Sequence, residues 1–218
     1  MTTQFAAQRY NMVEAQLRVN DVTDPRLLDA MGQVARERFV PAAKRALAYA
    51  DVSVEVAPGR YLLEPRTFAK MVALADVRAS DAVLDVGSAT GYSAAVLARL
   101  AKSVIALEQD AELVRASYEL LPSVGAANAI VTQGALNQGL KAKAPYDVIV
   151  VEGAIAGPPE ALLAQLAEGG RLVAVIGEGA AAKAELFLRE HGRIGRRSGF
   201  DAAVPALVGF AKTVGFVF

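Results

Sequence analysis

The sequence predicts an α/β fold: a doubly wound, mostly parallel sheet with an antiparallel C-terminal hairpin and an N-terminal helical extension. Apolar, largely β-branched runs recur at Ala82–Val86, Ser103–Leu107, Ala129–Thr132, Asp147–Val151 and Arg171–Ile176. Helical stretches separate them at Ser93–Ala101, Ala111–Leu121 and Pro159–Ala167. Near-continuous Val/Ile/Leu runs suit strands buried on both faces, and their alternation with helices implies right-handed crossovers. At the end of the chain, His191-Gly192 separates Ala184–Arg189 from Arg193–Phe200, which predicts a hairpin.

The elements follow in order. Residues 5–18 and 25–37 carry apolar positions at helical spacing, among them Leu27, Leu28, Met31 and Val34. Asp24-Pro25 offers a capping carboxylate followed by proline at the first helical position. Phe39-Val40-Pro41 ends that pattern. Pro58-Gly59 interrupts the next stretch between the β-prone pieces Val52–Val56 and Tyr61–Leu63, and residues 66–78 turn helical again. Leu166–Gly170 reads as a helix end stopped by Gly-Gly, with glycine as a left-handed cap. Glu178–Ala184 reads as a loop. The expected division is an extension over 1–80 that covers the site and a core over 81–218, together one compact unit.

Composition narrows the chemistry. At 218 residues the chain suits about one domain, at ~100–200 residues each. Twenty-three basic residues balance twenty-three acidic ones, which argues against nonspecific binding to nucleic acid. With no cysteine there is no thiolate metal site or Cys nucleophile, and one histidine makes His-cluster metal sites untenable. Mean hydropathy is positive, at +0.31. The apolar runs nevertheless fall far short of the ~18–20 residues that a membrane span needs. The opening residues lack a basic region followed by an apolar core. The expectation is a cytoplasmic protein without membrane or nucleic-acid partners.

The segment Val83-Leu84-Asp85-Val86-Gly87-Ser88-Ala89-Thr90-Gly91-Tyr92-Ser93 is a strand, a turn of small residues and a helix start. Glycine allows the turn and lets a ligand approach the main chain. A dinucleotide fold wants Gly at relative positions 1, 3 and 6, but Gly87, Ala89 and Tyr92 stand there. A nicotinamide dehydrogenase is thereby disfavoured. Read as Gly-x-Gly/Ala-x-Gly, the fit is Gly87, Ala89 and Gly91, which suits S-adenosylmethionine, a ligand without a pyrophosphate. Glu108 lies 21 positions after Gly87, where a carboxylate can accept from both ribose hydroxyls. The plainer alternative is a tight turn and a solvated acid at a helix start. A further strand delivers Glu152 to the same edge of the sheet.

These residues resemble the class I S-adenosylmethionine-dependent methyltransferases, and more narrowly the protein-L-isoaspartate O-methyltransferases. The narrower likeness lies in Met12–Arg18, Arg38-Phe39-Val40-Pro41, Ala48-Tyr49-Ala50-Asp51, Leu166–Val173 and Val204-Pro205. The resemblance implies a Rossmann-like core, S-adenosyl-L-methionine as cofactor, and methyl transfer to a carboxylate of a protein or peptide, with a small molecule as another possible acceptor. It implies cofactor contacts at Asp85, Gly87, Ser88, Ala89, Thr90, Gly91, Tyr92, Glu108, Gln109, Gly134 and Ala135. It leaves the oligomeric state open.

The departures fall where the chemistry would be. The family carries Gly-Gln-Thr-Ile-Ser-Gln-Pro where this chain has Gly59-Arg60-Tyr61-Leu62-Leu63-Glu64-Pro65. Its serine, which would hold the substrate carboxylate, is Leu63, and its next glutamine is Glu64. Ala135 replaces the Asp that contacts adenine, and Glu152 stands at a small or hydroxyl-bearing position. Two ionised acids facing one pocket would repel an anionic acceptor by ~1–4 kcal/mol. Leu63, Glu64 and Glu152 are therefore the candidate acceptor-site positions, with Glu152 a possible general base. Their bland alternative is an ion pair of Glu64 with Arg60 or Arg66 and a helix-capping Glu152. A catalytically degenerate relative that acts as a cofactor-binding or regulatory module is the alternative for the whole chain.

Overall fold

A computed structural model describes residues 2–210. The extension contains α1 (Thr2–Met12), which continues into a π-helical turn over Val13–Leu17, and α2 (Pro25–Gln33). It continues through β1 (Val54–Ala57), β2 (Arg60–Leu62) and α3 (Pro65–Ala75). The core then runs β3 (Ala82–Val86), α4 (Tyr92–Leu97), β4 (Ser103–Glu108), α5 (Ala111–Ser123), β5 (Ala129–Gln133), β6 (Tyr146–Ile155), α6 (Glu160–Leu163), β7 (Leu166–Ile176), β8 (Lys183–Glu190) and β9 (Arg193–Asp201). The seven core strands form one sheet in the order β5-β4-β3-β6-β7-β8-β9. Strands β3 to β7 pair in parallel, and β8 and β9 are added antiparallel. The hairpin β1–β2 is a separate two-stranded sheet.

Local chemistry accounts for the helix starts. Asp24 accepts from the Arg26 N–H at 2.8 Å and Pro25 opens α2. Asp110 accepts from the N–H groups of Glu112 and Leu113 at 2.8 and 3.1 Å, capping α5. Such caps satisfy donors that have no partner within the helix. At the last hairpin, His191 and Gly192 take φ of +52° and +72°, which suits the twist of β8 and β9. β9 closes the sheet as an edge strand exposed along most of its length.

Alternate residues of the sheet feed two cores. Val83, Val148, Val150 and Val173 pack with Leu27, Met31, Phe68 and Met71 of the extension. Leu84, Val86, Ile149, Val151 and Leu172 pack on the opposite face with Leu162 and Leu163. The extension thus shares a core with the sheet. Arg171 ties the two at their lower edge: it donates to the carbonyls of Ala75 and Asp76 and pairs with Asp81 at 2.8 Å.

The segment Leu166–Gly170 corrects an expectation. It is not a helix end with a glycine cap. α6 is one short turn, and Leu166 already pairs with Tyr146 in the sheet. The register then shifts, and Arg171 resumes the pairing opposite Val148. Gly169, at φ +75°, makes this irregularity possible inside a strand. The helical spacing over 159–167 was outweighed by the strand pairing available beside β6.

Candidate functional site

The site lies at the carboxyl ends of the parallel strands. The turn after β3 begins at Gly87, with φ of +84°, and reaches α4 through Gly91, with φ of +92°. Ala89 takes φ of +50°, an uncommon conformation for a residue with a Cβ. Both of its peptide groups are held: its N–H donates to Glu108 Oε2 at 2.9 Å, and its carbonyl accepts from Ser117 Oγ at 2.9 Å. Thr90 donates to the Phe39 carbonyl at 2.7 Å, joining the turn to the extension.

Glu108 ends β4 and is fully buried. Its Oε1 accepts from the N–H groups of Gln109 and Asp110, at 2.8 and 3.2 Å. Its Oε2 accepts from Ala89 and from Arg60 Nη2, the latter at 2.6 Å. Gln109 is exposed beside it, and Gly134 donates to the Glu108 carbonyl at 3.0 Å. Ala135 follows, exposed, at the same edge.

Next to the turn lies a second acidic centre. Asp85 is buried and accepts from Ser93 Oγ at 2.6 Å. Burial is the main cause that raises its pKa to about 7; Ser93 and Arg60 oppose the rise, and Glu108 adds to it. Glu152 is buried too, and burial with the neighbouring Asp85 pushes its carboxyl well above the usual carboxylate range. Five buried polar atoms here have no hydrogen-bond partner among the described residues: Asp85 Oδ1, Ser88 Oγ, Tyr92 OH, Glu152 Oε1 and Arg60 Nε. Arg36, also buried, donates to the carbonyls of Ala48 and Leu63 and stacks 4.6 Å from the Tyr92 ring centroid.

The expected pair of ionised acids does not form. Leu63 and Glu152 line one small cavity of about 10 Å³ together with Arg36, Ser88 and Tyr92. Glu64 lies elsewhere, in a cleft of about 280 Å³ with Arg66, Thr67 and Lys70. It accepts from Thr67 Oγ1 at 2.5 Å and sits 3.8 Å from Arg66, as its bland alternative anticipates. Glu152 caps no helix. Burial beside another acid pushes its carboxyl toward the protonated form, which weakens the repulsion the sequence suggested.

Arg60 and Leu207 were missed in the sequence. Arg60 was considered as a partner for Glu64, whereas it pairs with Glu108. Leu207 arrives from beyond β9, where Pro205 accepts from and Leu207 donates to the backbone of Ala154. A Cβ built on Gly87 would lie 2.9 Å from Leu207 Cδ1 and 3.1 Å from Arg60 Nη2. The available signal for Arg60 was a charge at a position the related family fills with a neutral glutamine.

A glycine turn after the first core strand and a buried acid after the second define a nucleoside-binding α/β protein. Comparison narrows the class. The family described as protein-L-isoaspartate(D-aspartate) O-methyltransferase matches residues 7–206. A protein-L-isoaspartate O-methyltransferase of Koribacter versatilis is 37% identical over 207 residues, 95% of this chain and 93% of that one. One from Methylorubrum populi is 42% identical over 171 residues, 78% of this chain and 80% of the relative. A solved protein-L-isoaspartate O-methyltransferase superposes with a TM-score of 0.80 at 22% identity, covering 93% of this chain and 67% of its own. A putative one from Plasmodium falciparum, in complex with S-adenosyl-L-homocysteine, gives 0.78 at 23% identity and covers 92% and 98%. The chain belongs to the protein-L-isoaspartate O-methyltransferase family, whose members are S-adenosylmethionine-dependent enzymes that methylate protein.

The residues present fit that cofactor. Unpaired buried polar groups are costly, and each calls for a partner. Asp85 Oδ1 and Ser88 Oγ stand unpaired at the turn, on the same edge of the sheet as the Glu108 carboxylate and the exposed Ala135.

Proposed function

We propose that this chain methylates a protein or peptide carboxylate, using an acceptor site that differs from the family pattern. The supporting observation is the set of orphaned polar atoms gathered at the glycine turn beside Glu108. In this reading Asp85 and Ser88 hold the amino-acid end of S-adenosylmethionine, Glu108 holds its ribose, and Gln109, Gly134 and Ala135 border the base. The backbone of Gly87, Ala89, Thr90, Gly91 and Tyr92 lets the ligand come close. Bound there, the cofactor supplies a methyl group on an activated sulfonium. The chain's own task is to hold donor and acceptor at attack distance and to exclude water. A carboxylate acceptor, with a reference pKa near ~4, arrives ionised and needs no base.

The acceptor therefore needs a hydrogen-bond donor, and Leu63 cannot be one. Glu152 can. A protonated carboxyl group donates through its O–H, and Glu152 lines the same small cavity as Leu63. It takes the part of a donor in this reading and not that of a general base. Glu64, in its separate cleft, contacts the backbone-distal part of a peptide at most. In this reading the extension covers the site and the reaction takes place in the cytoplasm. No helix among the described residues is long and apolar enough to cross a membrane.

Titration calorimetry with S-adenosylhomocysteine tests the cofactor half. Binding is expected, and Glu108→Ala should weaken it by at least tenfold. No binding at millimolar ligand to a folded protein would sink the reading, and an unchanged affinity in the variant would remove Glu108 from the ribose.

A further inference from the structure

We infer that Arg60 is a latch on the cofactor site: its guanidinium occupies the ribose-binding edge of Glu108, and cofactor entry requires it to leave. This rests on the cofactor reading above. A carboxylate offers about four acceptor positions. All four of Glu108 are taken, by Gln109, Asp110, Ala89 and Arg60. Three of these donors are backbone groups fixed by the strand end and the turn. Arg60 is the one side chain among them, and only its departure frees an oxygen for a hydroxyl.

Space gives the same answer. Arg60 Nη2 and Leu207 Cδ1 stand where a ligand would lie against Gly87, 3.1 and 2.9 Å from the position of its absent Cβ. Arg60 is itself only 4% exposed, and its Nε has no hydrogen-bond partner among the described residues. Its place there is sustained by the ion pair and by packing.

Arg60 opens β2, and β1–β2 shares no strand pairing with the main sheet. Val54 and Leu62 anchor the hairpin in the core, so the Arg60 side chain is the part that moves. Leu63 and Glu64 follow directly after β2. Leu207, which meets the same position of Gly87, is the second part of the closure.

Calorimetry with S-adenosylhomocysteine on the wild type, Arg60→Gln, Arg60→Lys and Leu207→Ala decides this, with thermal melts to confirm folding. Arg60→Gln is expected to lower the melting temperature of the free protein, by leaving Glu108 without its cation, yet to bind the ligand at least tenfold more tightly. Arg60→Lys keeps the charge and should bind like the wild type, which a purely structural role would not produce. Leu207→Ala should tighten binding as well and serves if Arg60→Gln does not fold. Equal or weaker binding by the folded Arg60→Gln protein overturns the latch and leaves the cofactor reading intact. Binding by none of the four overturns both.

Discussion

Glu152 shows how far one environment can change a residue's chemistry. Its burial beside Asp85 favours the protonated form, whereas Arg36 and Arg60 pull the other way. For an acid whose folded pKa lies above the unfolded one, the native state holds the extra proton. Its contribution to stability therefore declines as pH rises from the ordinary carboxylate range through the raised value. The donor function follows the same sign: it is present at low pH and lost on the alkaline side. Glu152→Gln keeps a donor that does not titrate. Turnover of an isoaspartyl peptide by this variant should stay within a few-fold of the wild type and lose the alkaline decline assignable to Glu152. Glu152→Ala should cost about 10- to 100-fold, the equivalent of about 1.5–3 kcal/mol for a hydrogen bond to a charged group. Equal turnover by the alanine variant at every pH would exclude the donor role. From the sequence, Glu152 could be placed at a strand end but not assigned a protonation state, because that depends on Asp85, Arg36 and Arg60, three residues brought to it from other elements.

Elements were legible to different degrees, for physical reasons. The strands Ala82–Val86 and Ser103–Glu108, and the helix after Asp110, were legible because each has a local signal: a β-branched run or a capping acid. Leu166–Gly170 was misread because its pairing partner, Tyr146, lies in another strand. β6 extends to Ile155, beyond the expected Val151, through an irregular stretch whose pairing depends on β7. The cofactor turn was legible because the positive φ angles at its two ends fall on Gly87 and Gly91, whereas the uncommon angle of Ala89 was not. Gly139 carries a sharper constraint. It takes φ +63° and ψ −151°, and a Cβ there would fall 2.6 Å from Gln165 Nε2. Gln165 in turn bonds the Leu140 N–H and the carbonyls of Gln138 and Ala161. Gly139→Ala should destabilise by about 2–4 kcal/mol, from backbone strain and displaced hydrogen bonds. Gly192→Ala, at φ +72° with open space around it, should cost only about 1–2 kcal/mol. Equal unfolding midpoints in urea for the two variants would show that the Gln165 network carries no weight.

At the scale of the whole molecule, the extension is bound to the sheet by apolar packing on one face and by the Arg171 cluster at the lower edge. Arg171 and Asp81 are largely shielded, with side-chain exposures of 11% and 6%. Removal of one member of such a pair strands the other in poor solvent. Arg171→Met should therefore lower stability by about 3 kcal/mol, and adding Asp81→Asn should recover part of that loss. Full additivity of the two changes in urea unfolding would deny the coupling.

The edge strand β9 has a consequence for how this protein behaves when concentrated. A sheet that ends in a nine-residue strand exposed along most of its length offers a row of unused backbone donors and acceptors to any passing strand. Three arginines, Arg193, Arg196 and Arg197, lie along that strand, and Ile194 is the one large apolar side chain exposed on it. Arg196 is paired with Glu185, but a second copy approaching edge to edge would still bring the charges of Arg193 and Arg197 against their like. The basic residues of this strand therefore disfavour self-assembly into extended sheets.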